Sequence, residues 1–202
     1  MIKYAKIKPI IDKIIAIILI IISIPICIII GILIKLDSKG KVLFKHKRLG
    51  KNGKYIYVYK FRTMKNNAEQ LKQEFNKKQL KEFEENFKLK NDPRITKIGR
   101  KLRVLSLDEI PQLINVIKGD LSLVGPRPIT EEEIKKYGKN QEKLLSIKPG
   151  VVGAWTANGR SNTNYETRKK LELEYIENIN FKNDLKIICK TLMAVIKREG
   201  AI

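Results

Sequence analysis

The sequence of 202 residues contains few of the side chains that usually bind transition metals or form disulfide bonds. Cys27 lies in an apolar run and Cys189 in a helical pattern far along the chain, a spacing that predicts neither a metal site nor a disulfide framework. This cysteine content indicates a reducing, cytosol-facing setting. The single histidine, His46, lacks neighbouring partners for catalysis or metal binding, and we expect it on the surface of a strand.

Acidic residues are also scarce. The chain has 21 Asp and Glu against 42 Lys and Arg, a formal net charge of +21. Such an excess predicts an acidic partner, and nucleic acid, anionic lipid and phosphorylated small molecules all qualify. A hydrophobic content of 43% is enough for the core of one domain, with or without an appendage.

Charge is absent from one long segment, residues 14–34, which read "IIAIILIIISIPICIIIGILI". As a helix this segment would extend about 31 Å, long enough to cross the hydrocarbon core of a bilayer. The following "KLDSKGK" is not a small-residue cleavage site, which argues against a signal peptide. The segment therefore predicts a membrane-inserted helix.

Pro25, near the middle of this segment, removes a backbone donor and predicts a bend, where the Ser23 hydroxyl could bond to a carbonyl group that the proline leaves free. Lysines lie on both sides of the segment, so the positive-inside preference holds both ends in the cytoplasm. We therefore predict a re-entrant helix-break-helix hairpin over residues 1–36, followed by a cytosolic domain over residues 37–202. A single spanning helix with a proline kink remains the alternative.

The cytosolic part predicts a mixed fold of the α+β class. Residues 41–64 contain two strand-like stretches around Asn52-Gly53, a pair that suits a two-residue hairpin turn. Residues 66–90 have a helical pattern with one apolar stripe. The segment "DLKIICKTLMAVIKREG" has another, with Gly200 as a stop and an apolar face formed by Leu185, Ile188, Leu192 and Ile196. Such amphipathic helices either pack on the core or lie in the membrane interface.

Adjacent acids, Asp108 and Glu109, precede an apolar helical pattern, and two interpretations of them stand side by side. Ser106 and Glu109 match a capping box, although Pro111 disfavours helical geometry at Ile110 and argues against a simple one. Alternatively, the helix start binds a phosphate, while one carboxylate acts as a nucleophile and the other binds Mg²⁺.

Two loops carry further candidates for binding an anion. "GPRP" restricts the backbone on both sides of Arg127, whose planar guanidinium suits a phosphate or a carbonyl edge. "KPGVVGAWTANGRSN" contains Trp155 and Arg160, which could stack on a base and bind a phosphate. Taken alone, the first loop is a weak signal, and the second favours an ordinary turn.

Taken together, several segments resemble one family in order along nearly the whole chain. They are the apolar run with its proline, "IKLDSKG", "YKFRTM", "DPRITKIGRKLRVLSLDEIPQLINVIKGDLSLVGPRP", "IKPGVVG", "NGRSN" and "DLKIICKTLMAVIKREGA". The chain resembles the small monotopic phosphoglycosyl transferases, which are bacterial sugar transferases. It departs from their usual pattern at Ile24, where serine is usual, and at Glu172, where aspartate is usual.

The resemblance implies an enzyme of the bacterial inner membrane whose catalytic domain lies on the cytoplasmic face. Such an enzyme transfers a sugar 1-phosphate from a UDP-sugar to polyprenol (undecaprenyl) phosphate, releases UMP and begins glycan assembly. Asp108 would be the nucleophile that forms an aspartyl phosphosugar, and Glu109 would bind Mg²⁺, with Asp108 as a further candidate ligand.

The resemblance also implies basic residues around the phosphates and the nucleotide: Lys60, Arg62, Arg103, Arg127 and Arg160. Anionic lipid of the inner leaflet would account for the remaining positive charge, without nucleic acid as a partner. A homodimer and contacts with downstream glycosyltransferases stay open. The alternative function is a membrane-tethered basic binding or scaffold protein without catalysis.

Overall fold

The computed structural model describes residues 2–87, 89, 91–159, 163–198 and 200, which form a mixed helix and sheet fold. Its helices are α1 (Ile2–Asp37), α2 (Ala68–Gln73), α3 (Lys77–Asn86), α4 (Lys97–Val104), α5 (Gln112–Lys118), α6 (Glu131–Ile134), α7 (Gln141–Leu145), α8 (Tyr165–Glu177) and α9 (Phe181–Ile196). Its strands are β1 (Leu43–Leu49), β2 (Tyr55–Phe61), β3 (Ser122–Val124) and β4 (Gly150–Val152).

Helix α1 contains the predicted apolar segment, and among the described residues it is the one helix long and apolar enough to cross a membrane. It continues through Pro25, so the structure does not show the predicted break. The Ser23 hydroxyl donates to the carbonyl oxygen of Ile20 at 2.9 Å. That carbonyl precedes the one on Ile21, which the missing N–H of Pro25 would leave free. The hydroxyl therefore does not have the predicted partner.

The amino-terminal part of α1 is fixed to the rest of the chain by polar contacts. Tyr4 Oη and Lys8 Nζ each donate to Asp184 of α9 at 2.6 Å. Ser122 Oγ of β3 donates to Asp12 at 2.5 Å. Because all of these carboxylate contacts are largely buried, they hold this end of α1 against the sheet and α9.

The carboxyl-terminal part of α1 contacts the same body. Ile30 and Ile34 are buried in one cluster with Phe61 at the end of β2. The Asp37 carboxylate accepts the backbone N–H of Ile98 in α4 at 3.1 Å. Both ends of the apolar helix are thus bound to one folded domain, while most of the isoleucines between them are exposed.

The predicted hairpin is present as an antiparallel pair, β1 with β2, in a register that runs from Leu43 opposite Phe61 to Leu49 opposite Tyr55. The predicted two-residue turn was wrong, because residues 50–54 form a five-residue loop between the strands. Asn52 and Gly53 both take positive φ angles there, 57° and 72°, the conformation that this residue pair favours.

Two predicted helices differ from the structure in instructive ways. The pattern over residues 66–90 forms two helices, because Asn76 begins α3 with a capping box that it shares with Gln79.

In α9 the predicted apolar face is mostly solvent-exposed, with Leu185, Leu192 and Ile196 50%, 58% and 79% exposed. The face that packs on the core instead comprises Asp184, Ile187, Thr191 and Ala194. Helix α9 ends at Ile196, ahead of Gly200.

The "GPRP" loop follows β3, which pairs in parallel with β4. A Cβ atom at Gly150 would overlap the backbone nitrogen of Gly125, so the close approach of these two segments requires glycine. The carbonyl of Pro126 accepts the N–H of Gly150 at 2.8 Å, which ties the loop to the start of β4. The loop that carries Arg127 is therefore firmly positioned.

Helix α5 is attached to β2 by one buried side chain, Asn115. Its Oδ1 accepts the N–H of Tyr59 at 2.9 Å, and its Nδ2 donates to the carbonyl of Tyr57 at 2.8 Å. The amide thus satisfies backbone groups that β2 would otherwise leave unpaired at this edge. As a result, the acids that precede α5 lie beside Lys60, the next residue of β2.

Candidate active site

Asp108 and Glu109 lie on a tight turn, Leu107–Glu109, between α4 and α5. Ser106 begins this turn with a φ of 54°, in the left-handed region, and its side chain does not cap the turn. The capping-box interpretation was therefore wrong. Helix α5 begins after Pro111, so the acids stand just outside it. Asp108 is 7% exposed.

Two of the predicted cationic residues meet Glu109. Lys60 Nζ lies 2.5 Å from Glu109 Oε1, and Arg127 Nη1 lies 4.0 Å from the same oxygen. Lys60 comes from β2 and Arg127 from the loop after β3, so the fold brings together groups that are far apart in sequence. All three side chains line one pocket.

The environment of Asp108 acts on its pKa in opposite directions. Burial raises the pKa of the carboxyl most strongly; Lys60 lowers it, the negative charge of Glu109 raises it, and Arg103 lowers it. The outcome is a raised pKa. Arg103 is held near the pair by its Nε, which donates to Thr63 Oγ1 at 2.9 Å. The cations thus oppose the cost of ionising a buried carboxyl group.

The structure does not favour the predicted substrate contact at Arg62. Its buried guanidinium donates to the carbonyl oxygens of Lys39 and Ser38, the latter at 2.7 Å, and to Asn66 Oδ1 at 2.9 Å. The two carbonyl groups lie just beyond the end of α1, where carbonyl groups lack helical donors. Arg62 therefore fixes the chain that leaves the apolar helix. Arg160 lies outside the described residues.

Trp155 lies between two guanidinium groups. The Cζ atoms of Arg127 and Arg168 are 5.3 Å and 5.0 Å from the centres of its rings. Both distances suit a cation–π interaction. The tryptophan, which the sequence suggested as a platform for a base, therefore orients Arg127 in this structure.

A chain of buried ion pairs, which sequence reasoning missed, supports Arg168. Glu133 accepts from Arg48 at 2.6 Å and from Arg168 at 3.4 Å. Burial favours the neutral form of Glu133, but Arg48, Arg168, Arg127 and the backbone N–H of Thr130 together hold the pKa of Glu133 below its usual value. Arg168 and Glu172 are four residues apart, a spacing that places two side chains on one face of a helix, so the sequence could have indicated that these two lie together.

Glu172 is 1% exposed and lies under the two loops. Burial raises its pKa to about 7, against the opposing effects of Arg168, the Arg127 guanidinium and the backbone N–H groups of Arg127 and Trp155. Glu172 therefore faces the backbone of both residues that form the cation–π contact. This position is the one where the resembling family usually has aspartate.

His46 lies on a strand, β1, as predicted, but the prediction that it lies on the surface was wrong. The imidazole is partly buried and lines the same pocket as Lys60, Glu109 and Arg127. The register explains this position, since His46 lies opposite Val58 and Phe44 opposite Lys60, so alternate residues of both strands face the pocket. The sequence alone does not give that register.

Comparison with known proteins decides the family. A family model described as "Bacterial sugar transferase" matches residues 3–198. The chain belongs to the bacterial sugar transferase family. This membership is consistent with a phosphoglycosyl transferase and agrees with the resemblance found in the sequence.

Three relatives illustrate the similarity of this sugar transferase to known proteins. It is 41% identical over 193 residues to the undecaprenyl-phosphate galactose phosphotransferase of Salmonella typhimurium, covering 94% of the chain and 40% of that relative. It is 39% identical to the exopolysaccharide production protein ExoY of Sinorhizobium fredii, covering 94% of the chain and 85% of the relative. It is 33% identical to the UDP-N-acetylgalactosamine-undecaprenyl-phosphate N-acetylgalactosaminephosphotransferase of Aeromonas hydrophila, and the match covers 98% of the chain and 45% of that relative. The chain thus spans less than half of the Salmonella and Aeromonas proteins.

The donor set of this sugar transferase fits one kind of metal site. Among the described residues there is no group of three or more acidic, histidine or cysteine side chains that could hold a metal ion by itself. Mg²⁺, however, is commonly bound by one or two carboxylates together with substrate phosphates and water. Asp108 and Glu109 supply those two carboxylates, so the residues fit a Mg²⁺ ion shared with a substrate.

A larger cavity, of about 450 Å³, lies between α8 and α9. Its asparagines bond to nearby backbone: Asn183 Nδ2 donates to the carbonyl of Asn178 at 3.1 Å, and Asn158 Nδ2 to that of Ala154 at 2.6 Å. No predicted catalytic residue lines it. The smaller pocket beside the acidic pair is therefore the candidate active site of the sugar transferase.

The buried Glu172 predicts a specific dependence of stability on pH. Its pKa is raised on folding, so its contribution to stability is full below its unfolded pKa and is lost as pH rises through about 7. A rise from an ordinary 4.5 to about 7 corresponds to roughly 3 kcal/mol. Glu172→Gln should therefore lose fewer degrees of melting temperature than the wild type between about pH 5 and about pH 8. Glu174→Gln, an exposed change on the same helix, is the control, and equal losses in all three proteins would contradict the prediction.

Proposed function

We propose that this sugar transferase moves a sugar 1-phosphate from a UDP-sugar to undecaprenyl phosphate, giving the polyprenyl diphosphate sugar and UMP. The single observation that carries the proposal is the buried Asp108 directly before Glu109, which meets Lys60 and Arg127 at one pocket. The printed names of the Salmonella and Aeromonas relatives support the lipid acceptor, and the Aeromonas name supports the nucleotide donor. A pocket lined by cationic side chains, with a buried carboxylate next to one of its lining residues, suits phosphoryl transfer through a covalent intermediate.

In the first proposed step, an Asp108 oxygen attacks the phosphorus atom that bears the sugar. The bond from that phosphorus to the UMP oxygen breaks, UMP leaves, and an aspartyl phosphosugar remains. Asp108 must be ionised to attack, and Lys60 and Arg103 are the cations that oppose its raised pKa. Lys60 and Arg127 also stabilise the negative charge that develops on the phosphoryl oxygens.

In the second step, an oxygen of the lipid phosphate attacks the same phosphorus and releases the Asp108 carboxylate. Dividing the transfer in this way means that nucleotide and lipid need not occupy the pocket together. Mg²⁺, held by Glu109 with Asp108 as a further candidate ligand, would neutralise charge on the diphosphate. Binding of the ion would weaken the contact between Glu109 and Lys60, because the ion and the Lys60 ammonium group compete for the Glu109 oxygens.

For the membrane, we propose that residues 1–36 form a re-entrant segment and that residues 37–202 form the catalytic domain on the cytoplasmic face of the inner membrane. The contacts of Lys8 with Asp184 and of Asp37 with the N–H of Ile98 support this topology, since they hold both ends of α1 to one domain. A helix that spans the bilayer would separate its ends by the full membrane thickness. The bend at Pro25 would then form in the bilayer, where the exposed isoleucines enter lipid.

Helix α9 adds a proposed interfacial contact. Its apolar face is uncovered, and Lys182 and Lys186 on the same helix are exposed near it. An amphipathic helix of this kind lies in the headgroup layer, with basic side chains near anionic lipid. This contact would place the catalytic domain against the membrane from which the acceptor comes.

The reaction is tested by measuring UMP release from a panel of UDP-sugars, with Mg²⁺ and undecaprenyl phosphate, by protein held in nanodiscs. UDP-galactose and UDP-N-acetylgalactosamine are the first donors to try. Asp108→Asn and Glu109→Gln should each lower the rate by roughly three orders of magnitude or more, because each removes a group that acts directly on the phosphates. Glu142→Gln, an exposed carboxylate, should keep wild-type activity. Wild-type rates in Asp108→Asn would rule out the mechanism.

The topology is tested by labelling with a membrane-impermeant maleimide. In a Cys27→Ala, Cys189→Ser background, Lys6→Cys reports on the start of α1 and Lys139→Cys on an exposed loop of the catalytic domain. We expect both to react in inverted vesicles and neither in intact spheroplasts. Reaction of the two thiols from opposite sides would establish a spanning helix instead.

A further inference from the structure

His46 occupies a position in the active-site pocket that the proposed mechanism does not use. It projects from the same face of the hairpin as Lys60, and both line the pocket with Glu109 and Arg127. The cations and the acids in this pocket are suited to the charged diphosphate. A histidine among them adds a ring with two nitrogens, and its neighbours decide which nitrogen carries a proton and whether the ring is charged.

The neighbours of His46 fix which ring nitrogen carries the proton. Arg48 Nη2 lies 3.3 Å from Nδ1 of the imidazole. Because a guanidinium only donates hydrogen bonds, Nδ1 must accept, and the proton of the neutral ring is on Nε2. Arg48 is itself held by Glu133 at 2.6 Å, and Glu133 also contacts Arg168. The ring therefore has a fixed orientation and a defined tautomer.

The same surroundings keep the ring uncharged. Burial lowers the pKa of His46 most strongly, and Arg48 on β1, Lys60 on β2 and Arg127 lower it further, to about 4, against the weaker opposing effect of Glu133. Near neutral pH the imidazole therefore has one N–H donor, on Nε2, and no charge. Lys60 and Arg127 in the same pocket already supply positive charge for the diphosphate, which leaves the uncharged N–H of His46 for an uncharged acceptor oxygen.

We propose that His46 is a specificity-determining residue, whose Nε2–H donates a hydrogen bond to an uncharged oxygen of the nucleotide sugar, while Arg48 holds the ring through Nδ1. The inference rests on the proposed function, because it takes the nucleotide sugar as the ligand of this pocket. The acceptor is a hydroxyl or carbonyl oxygen on either the transferred sugar or the nucleoside. A second, purely structural role for the ring would be to satisfy Arg48 alone.

Two variants separate the proposed role from the structural one. His46→Gln keeps an N–H donor near the position of Nε2 but loses the acceptor at Nδ1, whereas His46→Asn keeps an acceptor near Nδ1 and loses the donor at Nε2. Loss of one hydrogen bond to substrate corresponds to about a five- to tenfold change. We therefore expect His46→Asn to raise KM for the UDP-sugar about five- to tenfold with little change in kcat, and His46→Gln to stay close to wild type. Wild-type kinetics in His46→Asn, or a larger defect in His46→Gln, would overturn the proposal.

Inhibition by UMP then locates the acceptor. If His46→Asn weakens UMP inhibition as much as it raises KM, the acceptor is on the nucleoside, in its base or its ribose; if UMP inhibition is unchanged, the acceptor is on the transferred sugar. Both results support the proposal. If the wild type releases UMP while His46→Asn is unaffected in both measurements, the proposal for His46 fails and the reaction stands.

Nuclear magnetic resonance provides a readout that does not depend on turnover, because His46 is the one histidine in the chain. In protein labelled with ¹⁵N-histidine, we expect the imidazole to show the Nε2–H tautomer at neutral pH. Adding a UDP-sugar to the Asp108→Asn variant should shift the Nε2 resonance far more than the Nδ1 resonance. A protonated ring, the opposite tautomer, or binding of the nucleotide sugar without a shift at Nε2 would each contradict the inference.

Discussion

The burial of the Asp108 carboxylate next to a second acid, Glu109, is the constraint on which the rest of the site depends. A carboxylate taken out of water is stable only when cations or hydrogen-bond donors compensate for the lost hydration. Here the compensating charges come from separate segments: Lys60 from β2, Arg103 from α4 and Arg127 from the loop after β3. Each must be positioned independently. Asn115 fixes β2 to α5, Thr63 holds Arg103, and Trp155 stacks on Arg127.

The same constraint connects the site to the membrane. Helix α5 follows the acidic pair directly, and its buried residues Leu113 and Val116 share a hydrophobic cluster with Ala16 of α1. The apolar helix is therefore part of the support of the active site as well as an anchor. This arrangement suits a reaction in which a water-soluble nucleotide sugar and a membrane-bound lipid phosphate use one nucleophile in turn. A basic scaffold without catalysis would give no reason to bury the Asp108 carboxylate beside a second acid among its cations.

The sequence predicted best the features that depend on residues close together in the chain. The long uncharged run and the two strand-like stretches around Asn52-Gly53 predict the apolar helix and the hairpin that the structure contains. It was less informative where distant segments meet. The buried role of Arg62 depends on carbonyl groups beyond the end of α1, and the place of His46 depends on strand register. Asn76 was a local signal that could have divided the predicted helix, because asparagine three residues before glutamine is typical of a helix start.

The central claim is that Asp108 is transiently bonded to the phosphosugar, and intact-protein mass spectrometry tests it most directly. Wild-type protein is mixed with its UDP-sugar in the absence of polyprenol phosphate, quenched rapidly and weighed, and the peptide that contains Asp108 is then sequenced. The account predicts a mass increase of one sugar phosphate at Asp108, which disappears when the lipid is added and is absent from Asp108→Asn. An enzyme that turns over with the lipid but shows no adduct, or carries it on another residue, would contradict the account.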